Sequence, residues 1–148
     1  MIKKTVFLTI CLLLTANAAA LEVGLIAGSV SQPASFFYGL SAGFGIIVPM
    51  IKVEVEGYRL DDSALNNLSA AVKVRPKFGK FAPFVLLGAG GRFEKLNFHF
   101  SEYSFHTMMG CGLHILFSSI VSLRVDLRWL RFSDVTDTRI GGGIFIHL

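Results

Sequence analysis

Apolar and polar residues alternate strictly along much of the chain. From Val121 to Trp129 every second residue is apolar, and the residues between them include Arg124, Asp126 and Arg128. A helix would spread these charges around its circumference, whereas an extended strand places all of them on one face. The alternation therefore predicts a β-strand with one apolar face and one charged face.

The same period of two recurs in other parts of the chain, around 38–48, 51–56 and 139–148. Counting on this basis gives strand segments at 21–30, 36–48, 50–60, 68–76, 82–94, 103–117, 120–132 and 138–148. Each segment is close to or longer than the roughly 9–11 residues that a tilted strand needs to cross a bilayer. The pattern predicts an all-β fold, an eight-stranded antiparallel up-and-down transmembrane β-barrel.

Two uncharged stretches offer a helical alternative. Residues 23–51 and 107–123 contain no Asp, Glu, Lys or Arg, and the first stretch has a G-x-x-x-G at Gly39 and Gly43. Such a motif in an apolar segment is a signal for helix dimerisation. However, glycines interrupt both stretches, and each costs about 1 kcal/mol relative to alanine in a helix interior. Strands therefore remain the favoured interpretation.

Periodicity alone does not decide which face of the strands points into the barrel. A soluble barrel, the alternative, would bury the apolar face. Glycine and serine share the charged face, for example at Gly39, Ser41 and Gly43, and a small barrel has room inside only for small or well-paired groups. An arginine or lysine that faces lipid near the midplane costs about 2–4 kcal/mol. Both arguments favour a polar interior and an apolar, lipid-facing surface.

This arrangement predicts a mostly compensated set of charges inside the barrel. The acids expected there are Glu22, Glu54, Glu56, Glu94 and Asp126. The bases expected there are Lys52, Lys73, Arg75, Arg92, Arg124, Arg128 and Arg139. Because side chains fill the interior of an eight-stranded barrel, the charges indicate a closed lumen, with a narrow gated ion channel as an alternative.

Aromatic residues and connections suggest two different rims. One aromatic group lies toward one end of the strands and comprises Phe36, Phe37, Tyr38, Tyr58, Phe98, Phe100, Tyr103, Phe105, Trp129 and Phe132. The other group comprises Phe78, Phe81, Phe84 and Phe117. Two aromatic belts around an aliphatic band are typical of membrane barrels. Tight turns are expected at Pro49, 77–80 and 118–119, and longer loops at 31–35, 61–67, 95–102 and 133–137.

The N-terminal segment has the three parts of a secretory signal. Two lysines precede an apolar run at 6–14, and small residues then offer cleavage after Ala18 or Ala20. The apolar run is too short to anchor the chain stably in a membrane. We expect residues 1–20 to be removed and residues 21–148 to form the barrel domain.

Composition narrows the range of functions. Of the 148 residues 53% are hydrophobic and only 16% are charged, against about 25% charged in a typical soluble domain. Two of the 14 Lys and Arg residues lie in the signal, which leaves 12 against 10 Asp and Glu, too small an imbalance to indicate nucleic-acid binding. Cys11 is also lost with the signal, so Cys111 has no intrachain disulfide partner and is expected to face lipid.

Two stretches of the chain resemble a known family. The run 81–91, Phe-Ala-Pro-Phe-Val-Leu-Leu-Gly-Ala-Gly-Gly, is similar to the fifth strand of the OmpA-like/OmpX-like outer membrane β-barrels of Gram-negative bacteria. Residues 110–132 are similar to its sixth and seventh strands, with the Ser-Leu-Arg-Val-Asp-Leu-Arg alternation typical of the seventh. The resemblance covers the whole of 21–148. Family members commonly end in a Phe or Trp that the assembly machinery reads, whereas Leu148 stands last here.

The resemblance implies an outer membrane protein with a structural or surface-interaction role in the cell envelope. The implied partners are outer membrane lipids, lipopolysaccharide and the outer-membrane assembly machinery. A monomer without cofactor, enzymatic activity or nucleic-acid partner is expected. On the predicted outer loops, two interpretations of Asp61, Asp62, Asp134 and Asp137 stand equally: contact with divalent cations that bridge lipopolysaccharide, or solvated loop acids without a ligand.

One cluster offers an enzymatic alternative. On a strand, His99 and Ser101 would lie on one face, within reach of a base–nucleophile pair. This spacing weakly resembles the His-x-Ser of barrel-type lipid A deacylases, although Glu102 stands where asparagine is expected. His106 and His114 share strand parity but lie about 27 Å apart at strand rise, too far to bind one metal. No catalytic, cofactor-binding or metal-binding residue is assigned.

Overall fold

Eight β-strands make up most of the part of the chain that the structure describes. The computed structural model describes residues 21–46, 48–62, 65–94 and 103–148. The strands are β1 (Glu22–Ser31), β2 (Ala34–Ile46), β3 (Val48–Leu60), β4 (Asn66–Val74), β5 (Phe81–Phe93), β6 (Ser104–Leu116), β7 (Val121–Arg131) and β8 (Thr136–His147). All eight predicted segments are therefore present, with ends shifted by a few residues.

The strands form one closed barrel. Each strand pairs antiparallel with the next, and β8 pairs with β1 from Glu22 opposite His147 to Val30 opposite Arg139. Closure removes the free strand edge, whose unpaired backbone groups would be costly in a bilayer. The predicted fold class is confirmed. In the described part of the chain, no helix is long and apolar enough to cross a membrane.

Burial alternates along the strands in the phase that a polar interior requires. In β7, Arg124 and Arg128 are fully buried while Val125 between them is exposed. Around the outside runs a band of exposed apolar side chains that includes Leu25, Leu40, Leu68, Val72, Val85, Leu87, Met109, Ile140 and Ile144. The apolar face therefore points outward, and the alternative of a soluble barrel with that face inside is wrong.

The two ends of the barrel are named here by their connections. The loop rim carries the connections at 32–33, 61–65, 94–103 and 132–135, and the turn rim carries those at 47, 75–80 and 117–120. The longest connection is at the loop rim, as predicted. The tight turn predicted at Pro49 lies just before that residue, since Pro49 belongs to β3. Two other connections differ in length from expectation, because the β1–β2 connection is a two-residue turn and the β4–β5 connection has six residues.

Each difference has a local cause. Asp137 accepts hydrogen bonds from the backbone N–H and the hydroxyl of Ser31, which holds β1 in the sheet to its last residue. At the other rim, Pro76 has no N–H to donate, so the ladder between β4 and β5 stops before it. A separate bridge between Phe78 and Phe81 closes that connection.

The two exposed aromatic belts are present but smaller than predicted. Phe36, Tyr38, Phe105 and Trp129 are exposed near the loop rim, and Phe78, Phe81 and Phe117 are exposed near the turn rim. Phe37, Tyr58 and Phe84 were assigned to these belts wrongly, since they are buried inside the barrel. Their strand parity places them on the inner face. Phe98 and Phe100 lie outside the described residues.

The exposed band predicts a strong penalty for charge at its centre. Leu87 lies midway along β5 and is 65% exposed. Leu87→Arg is expected to lower the free energy of unfolding by about 2–4 kcal/mol, because the guanidinium would face hydrocarbon. Ser119→Arg, in the exposed 117–120 connection, is expected to cost about 0–1 kcal/mol. Denaturant unfolding in phospholipid vesicles, followed by the fluorescence of the single tryptophan, checks this, and equal losses would contradict it.

Candidate functional site

Buried ion pairs fill the barrel from the turn rim upward. The Glu22 carboxylate at the start of β1 lies 3.0 Å from Lys52 Nζ and 2.7 Å from Arg75 Nη1. Its other oxygen lies 2.5 Å from Lys73 Nζ, which also lies 2.6 Å from Glu54 Oε2. Lys73 thus links the carboxylate at the rim to the middle of the barrel.

Three arginines and two glutamates form the middle of this network. Arg124 contacts Glu54 at 2.9 Å and Glu56 at 2.5 Å. Arg128 contacts the same two carboxylates at 2.8 and 2.9 Å. Arg139 donates to Glu56 Oε2 at 2.7 Å. The pairs join β3 to β7 and β8 across the lumen, so they connect strands that are not neighbours in the sheet.

Asp126 completes the network. Its carboxylate lies 2.9 Å from Arg124 Nε, 3.2 Å from Arg128 Nη2 and 3.4 Å from Arg139 Nη2. The continuous network contains the acids Glu22, Glu54, Glu56 and Asp126 and the bases Lys52, Lys73, Arg75, Arg124, Arg128 and Arg139. Among the described residues, the predicted charge compensation is therefore present, with two more bases than acids.

Glycines on the neighbouring strands make room for these long side chains. Gly110 on β6 pairs with Arg128, and a Cβ at Gly110 would lie 2.9 Å from Arg128 Cγ. Asp126 on β7 pairs with Gly112 on one side and Gly141 on the other. The glycines on the charged face thus explain how a narrow barrel holds so many arginines.

Aromatic rings pack against two of these arginines. The Arg124 guanidinium lies 4.4 Å from the Phe145 ring centre, and Arg139 lies 4.6 Å from that of Phe37. These rings belong to a buried apolar cluster formed by Ile26, Val30, Phe37, Tyr58, Leu60 and Phe145. A second cluster is formed by Ala71, Phe84, Leu86, Met108 and Leu130. The lumen is therefore partly apolar, and the prediction of a polar interior did not include these clusters.

An ion pair that is separate from this network closes the lumen near the loop rim. Asp137 is fully buried and pairs with Arg92, whose Nη1 donates to the Gln32 carbonyl at 2.8 Å. The assignment of Asp137 to an outer loop was wrong, because β8 begins at Thr136 and Asp137 has the inward parity of Arg139. Extending the alternation of β8 by two residues would have found it.

The opening of the barrel at the loop rim is called the mouth. Below it, three inward-facing polar side chains have no hydrogen-bond partner among the described residues. Asn67 and Ser69 lie on β4 and His106 lies on β6, on either side of β5, and each is more than nine-tenths buried. In the register of the sheet, Asn67 lies opposite Arg92 of β5, and Gly90 of β5 lies opposite both Ser69 and His106. The His106 ring packs 4.9 Å from the ring of Phe132. They form a polar patch beneath the mouth on β4 and β6.

An open cavity of about 920 Å³ lies above this patch at the loop rim. Aromatic residues lining it are Phe93, Tyr103, Phe105 and Phe132. Arg92, Glu94 and Asp134 add charged groups to the wall. Aromatic walls with a few polar groups are typical of small-molecule sites. The mouth therefore offers a concave surface for contact with other molecules.

The sequence-predicted site residues have different outcomes. His99, Ser101 and Glu102 lie outside the described residues, so the predicted base–nucleophile pair stays a prediction. Glu94 was placed inside wrongly: it follows the end of β5 and is exposed at the mouth. Cys111 is exposed on the outer face, as predicted.

The three remaining loop acids lie at the loop rim, and the two histidines of β6 lie toward opposite ends of the barrel. Asp61, Asp62 and Asp134 are exposed at the loop rim. His114 is buried toward the turn rim and contacts Ser122 Oγ at 3.1 Å, eight residues from His106 along β6. In the described ranges, no three His, Cys, Asp or Glu side chains are grouped to hold a metal ion.

Comparison with known proteins identifies solved structures that share this architecture. No protein-family model matches the chain, and no curated protein matches it in sequence. The N-terminal β-barrel domain of Pseudomonas aeruginosa OprF matches with a TM-score of 0.73 at 15% identity, over 86% of this chain and 96% of that domain. The fold is that of the small outer membrane β-barrels.

Two further structures share the fold. The outer membrane enzyme PagL matches with a TM-score of 0.57 at 13% identity, over 86% of this chain and 99% of PagL. The Yersinia pestis attachment invasion locus protein Ail, in complex with the heparin analogue sucrose octasulfate, matches at 0.56 and 12% identity, over 86% and 95% of the two chains. These neighbours support the predicted outer membrane location. One of them is an enzyme, so the fold alone does not decide enzymatic activity.

The network predicts that carboxylates inside and outside the barrel differ in their effect on stability. Glu56→Gln removes the charge that pairs with three buried arginines and is expected to cost about 3–5 kcal/mol. Glu94→Gln is the matched control, because Glu94 is exposed, and should change stability by less than about 0.5 kcal/mol. Denaturant unfolding in vesicles measures both, and equal effects would contradict the assignment of Glu56 to the network.

Proposed function

We propose that this protein acts in the outer membrane as a closed barrel with a structural and surface-contact role. The observation that carries the proposal is the filling of the lumen by ion pairs, apolar clusters and the Arg92–Asp137 pair near the loop rim. A filled lumen leaves the two rims and the outer belt as the surfaces for contact. Export with removal of residues 1–20 belongs to this proposal, and the intact mass of the exported protein tests it.

A closed lumen argues against the alternative of a narrow ion channel. Opening a path would require separating buried partners such as Glu56 and Arg128, and an unpaired charge in the interior is costly. The interior network therefore supports a barrier rather than a pore. Planar-bilayer recordings distinguish the two, because a closed barrel gives no discrete conductance steps.

Contact with lipopolysaccharide through bridging cations is the finer part of the proposal. Asp61, Asp62 and Asp134 are exposed at the loop rim, where Glu94 adds a fourth exposed carboxylate. Carboxylate oxygens are the ligands that Mg²⁺ and Ca²⁺ prefer, and the same cations bind phosphate. Ail was crystallised with a polyanion, but exposed acids repel a polyanion unless cations lie between. Cation bridging is therefore the chemistry that suits this rim.

The enzymatic alternative keeps one specific argument. PagL is an outer membrane enzyme of the same fold, and the His99-x-Ser101 spacing here weakly resembles that of barrel-type lipid A deacylases. Glu102 departs from that pattern. We therefore place this function second to the structural role.

The loop-rim acids are expected to control the retention of lipopolysaccharide. The triple variant Asp61→Asn, Asp62→Asn, Asp134→Asn should lose most Mg²⁺-dependent retention on the purified barrel, because it removes three exposed negative charges that attract the cation. The matched control, Arg59→Gln with Arg131→Gln, changes exposed charges at the same rim and should keep it. Quantifying bound lipopolysaccharide after washes with Mg²⁺ or EDTA provides the measurement. Unchanged retention in the triple variant would rule out cation bridging by these acids.

The lipid A of cells that produce the protein is expected to be unaltered by Ser101→Ala. If the structural role is correct, mass spectrometry finds the same acyl composition in cells with wild-type protein, with the variant and without the protein. Deacylated lipid A that depends on wild-type Ser101 would instead establish the enzymatic alternative. Gel mobility of boiled and unboiled samples confirms that the variant barrel is folded.

A further inference from the structure

The connection between β4 and β5 forms a small hairpin at the turn rim. Phe78 N–H donates to the Phe81 carbonyl at 2.7 Å, and Phe81 N–H donates back to Phe78 at 3.1 Å. Gly79, at the tip, has φ +61°, a left-handed conformation that glycine adopts without steric cost. The two reciprocal hydrogen bonds leave Gly79 and Lys80 as the tip of a tight two-residue turn.

Three exposed phenylalanines lie close to this tip. Phe78 is 65% exposed and Phe81 is 54% exposed, and they are paired across the hairpin. The Lys80 carbonyl accepts a hydrogen bond from Leu116 N–H at 2.7 Å, which brings the next connection alongside. Phe117, the residue after Leu116, is 68% exposed. Exposed aromatic rings at the end of a membrane barrel lie at the boundary between hydrocarbon and headgroups.

The charge at this rim is basic. Residues 75–81 contain Arg75, Lys77 and Lys80, and neither 75–81 nor 117–121 contains Asp or Glu. The Arg75 guanidinium contacts Glu22, but that carboxylate also pairs with two lysines of the interior network. The Glu22 carboxylate therefore does not neutralise Lys77 and Lys80 of the hairpin.

A cavity adds a concave surface to this basic rim. Arg75 and Lys77 line a space of about 400 Å³ together with Met50, Ala82 and Leu116. Its wall thus combines cationic groups with apolar ones. At the opposite, loop rim, four exposed carboxylates outnumber the exposed Arg59 and Arg131, so the net charge of the described residues differs in sign between the two rims.

We propose that this hairpin binds the phosphate headgroup of an anionic glycerophospholipid in the leaflet that meets the turn rim. Lys77 and Lys80 contact the phosphate, and the rings of Phe78, Phe81 and Phe117 lie among the upper acyl carbons. Lysine side chains near a membrane surface extend toward the headgroups while their methylene stems contact apolar groups. The adjoining rings favour a lipid over a free anion, because a free anion gains nothing from them.

The inference rests on the membrane location in the proposed function, but it is independent of the lipopolysaccharide contact at the loop rim. Short turns face the periplasm in outer membrane barrels, so the turn rim meets the phospholipid leaflet. Anionic lipids attract basic residues near a membrane surface, each by an amount that corresponds to a several-fold change in affinity.

The test compares two lipids on the purified full-length barrel. Native mass spectrometry measures how tightly phosphatidylglycerol and phosphatidylcholine bind to the wild type and to the double variant Lys77→Gln, Lys80→Gln. The wild type is expected to prefer phosphatidylglycerol by about tenfold, and the double variant to lose that preference. Lys77→Arg with Lys80→Arg keeps the charges and should keep the preference.

Matched controls make the outcomes decisive. Arg59→Gln with Arg131→Gln removes two exposed charges at the loop rim and should leave the phosphatidylglycerol preference unchanged. Equal binding of both lipids by the wild type, or an unchanged preference in the lysine double variant, would overturn the proposal. Displacement of the lipid by inorganic phosphate at similar concentration would also overturn it, in favour of a simple phosphate-ion site.

The outcome is separable from that of the lipopolysaccharide experiment. The lysine double variant is expected to retain lipopolysaccharide with Mg²⁺ as the wild type does, since its changes lie at the opposite rim. Loss of lipid preference with intact lipopolysaccharide retention supports the hairpin site alone. The mobility of unboiled samples shows whether the lysine double variant and the aspartate triple variant are folded.

Discussion

The pairing of four buried carboxylates with six bases, five of them buried, is the interaction on which the rest of this structure depends. An apolar outer surface suits a bilayer only if the polar side chains lie inside, and an eight-stranded barrel has too little interior space to hydrate them freely. Glu54 and Glu56 resolve this conflict because both contact two arginines of β7 at once, and Glu56 also contacts Arg139 of β8. The same contacts connect strands across the lumen, so the charge pairing that makes the interior tolerable also fills it.

Much of the fold follows from a local property, the period of two along each segment. That period predicts the strands, their number and which residues of β3 and β7 face inward, because each follows from a residue and its neighbours two positions away. The ends were less predictable. Asp137 and Glu94 lie next to strand ends, and whether such a residue faces inward depends on contacts with distant segments, such as those of Asp137 with Ser31 and Arg92. The sequence shows the charges of these residues but not those contacts.

The candidate site was predictable in kind but not in detail. A set of inward charges was expected, and the residues of the network were among those named in advance. The apolar clusters were not expected. Phe37 and Phe84 are aromatic and lie near strand ends, as residues of an interfacial belt do, and only their parity along the strand shows that they face inward. The cavity at the mouth combines residues from several connections, and its shape follows from barrel closure, which no single segment encodes.

A network that fills the lumen separates what stabilises the barrel from what is free to contact other molecules. Residues such as Arg128 and Glu56 are committed to one another, whereas the exposed acids of one rim and the exposed lysines of the other have no part in that network. This separation is consistent with neighbours that share the fold at 12–15% identity and yet include an enzyme and a protein crystallised with a heparin analogue. Specific function in such a barrel therefore has to be sought at its rims, and here the exposed charges of the described residues give the two rims opposite net charge.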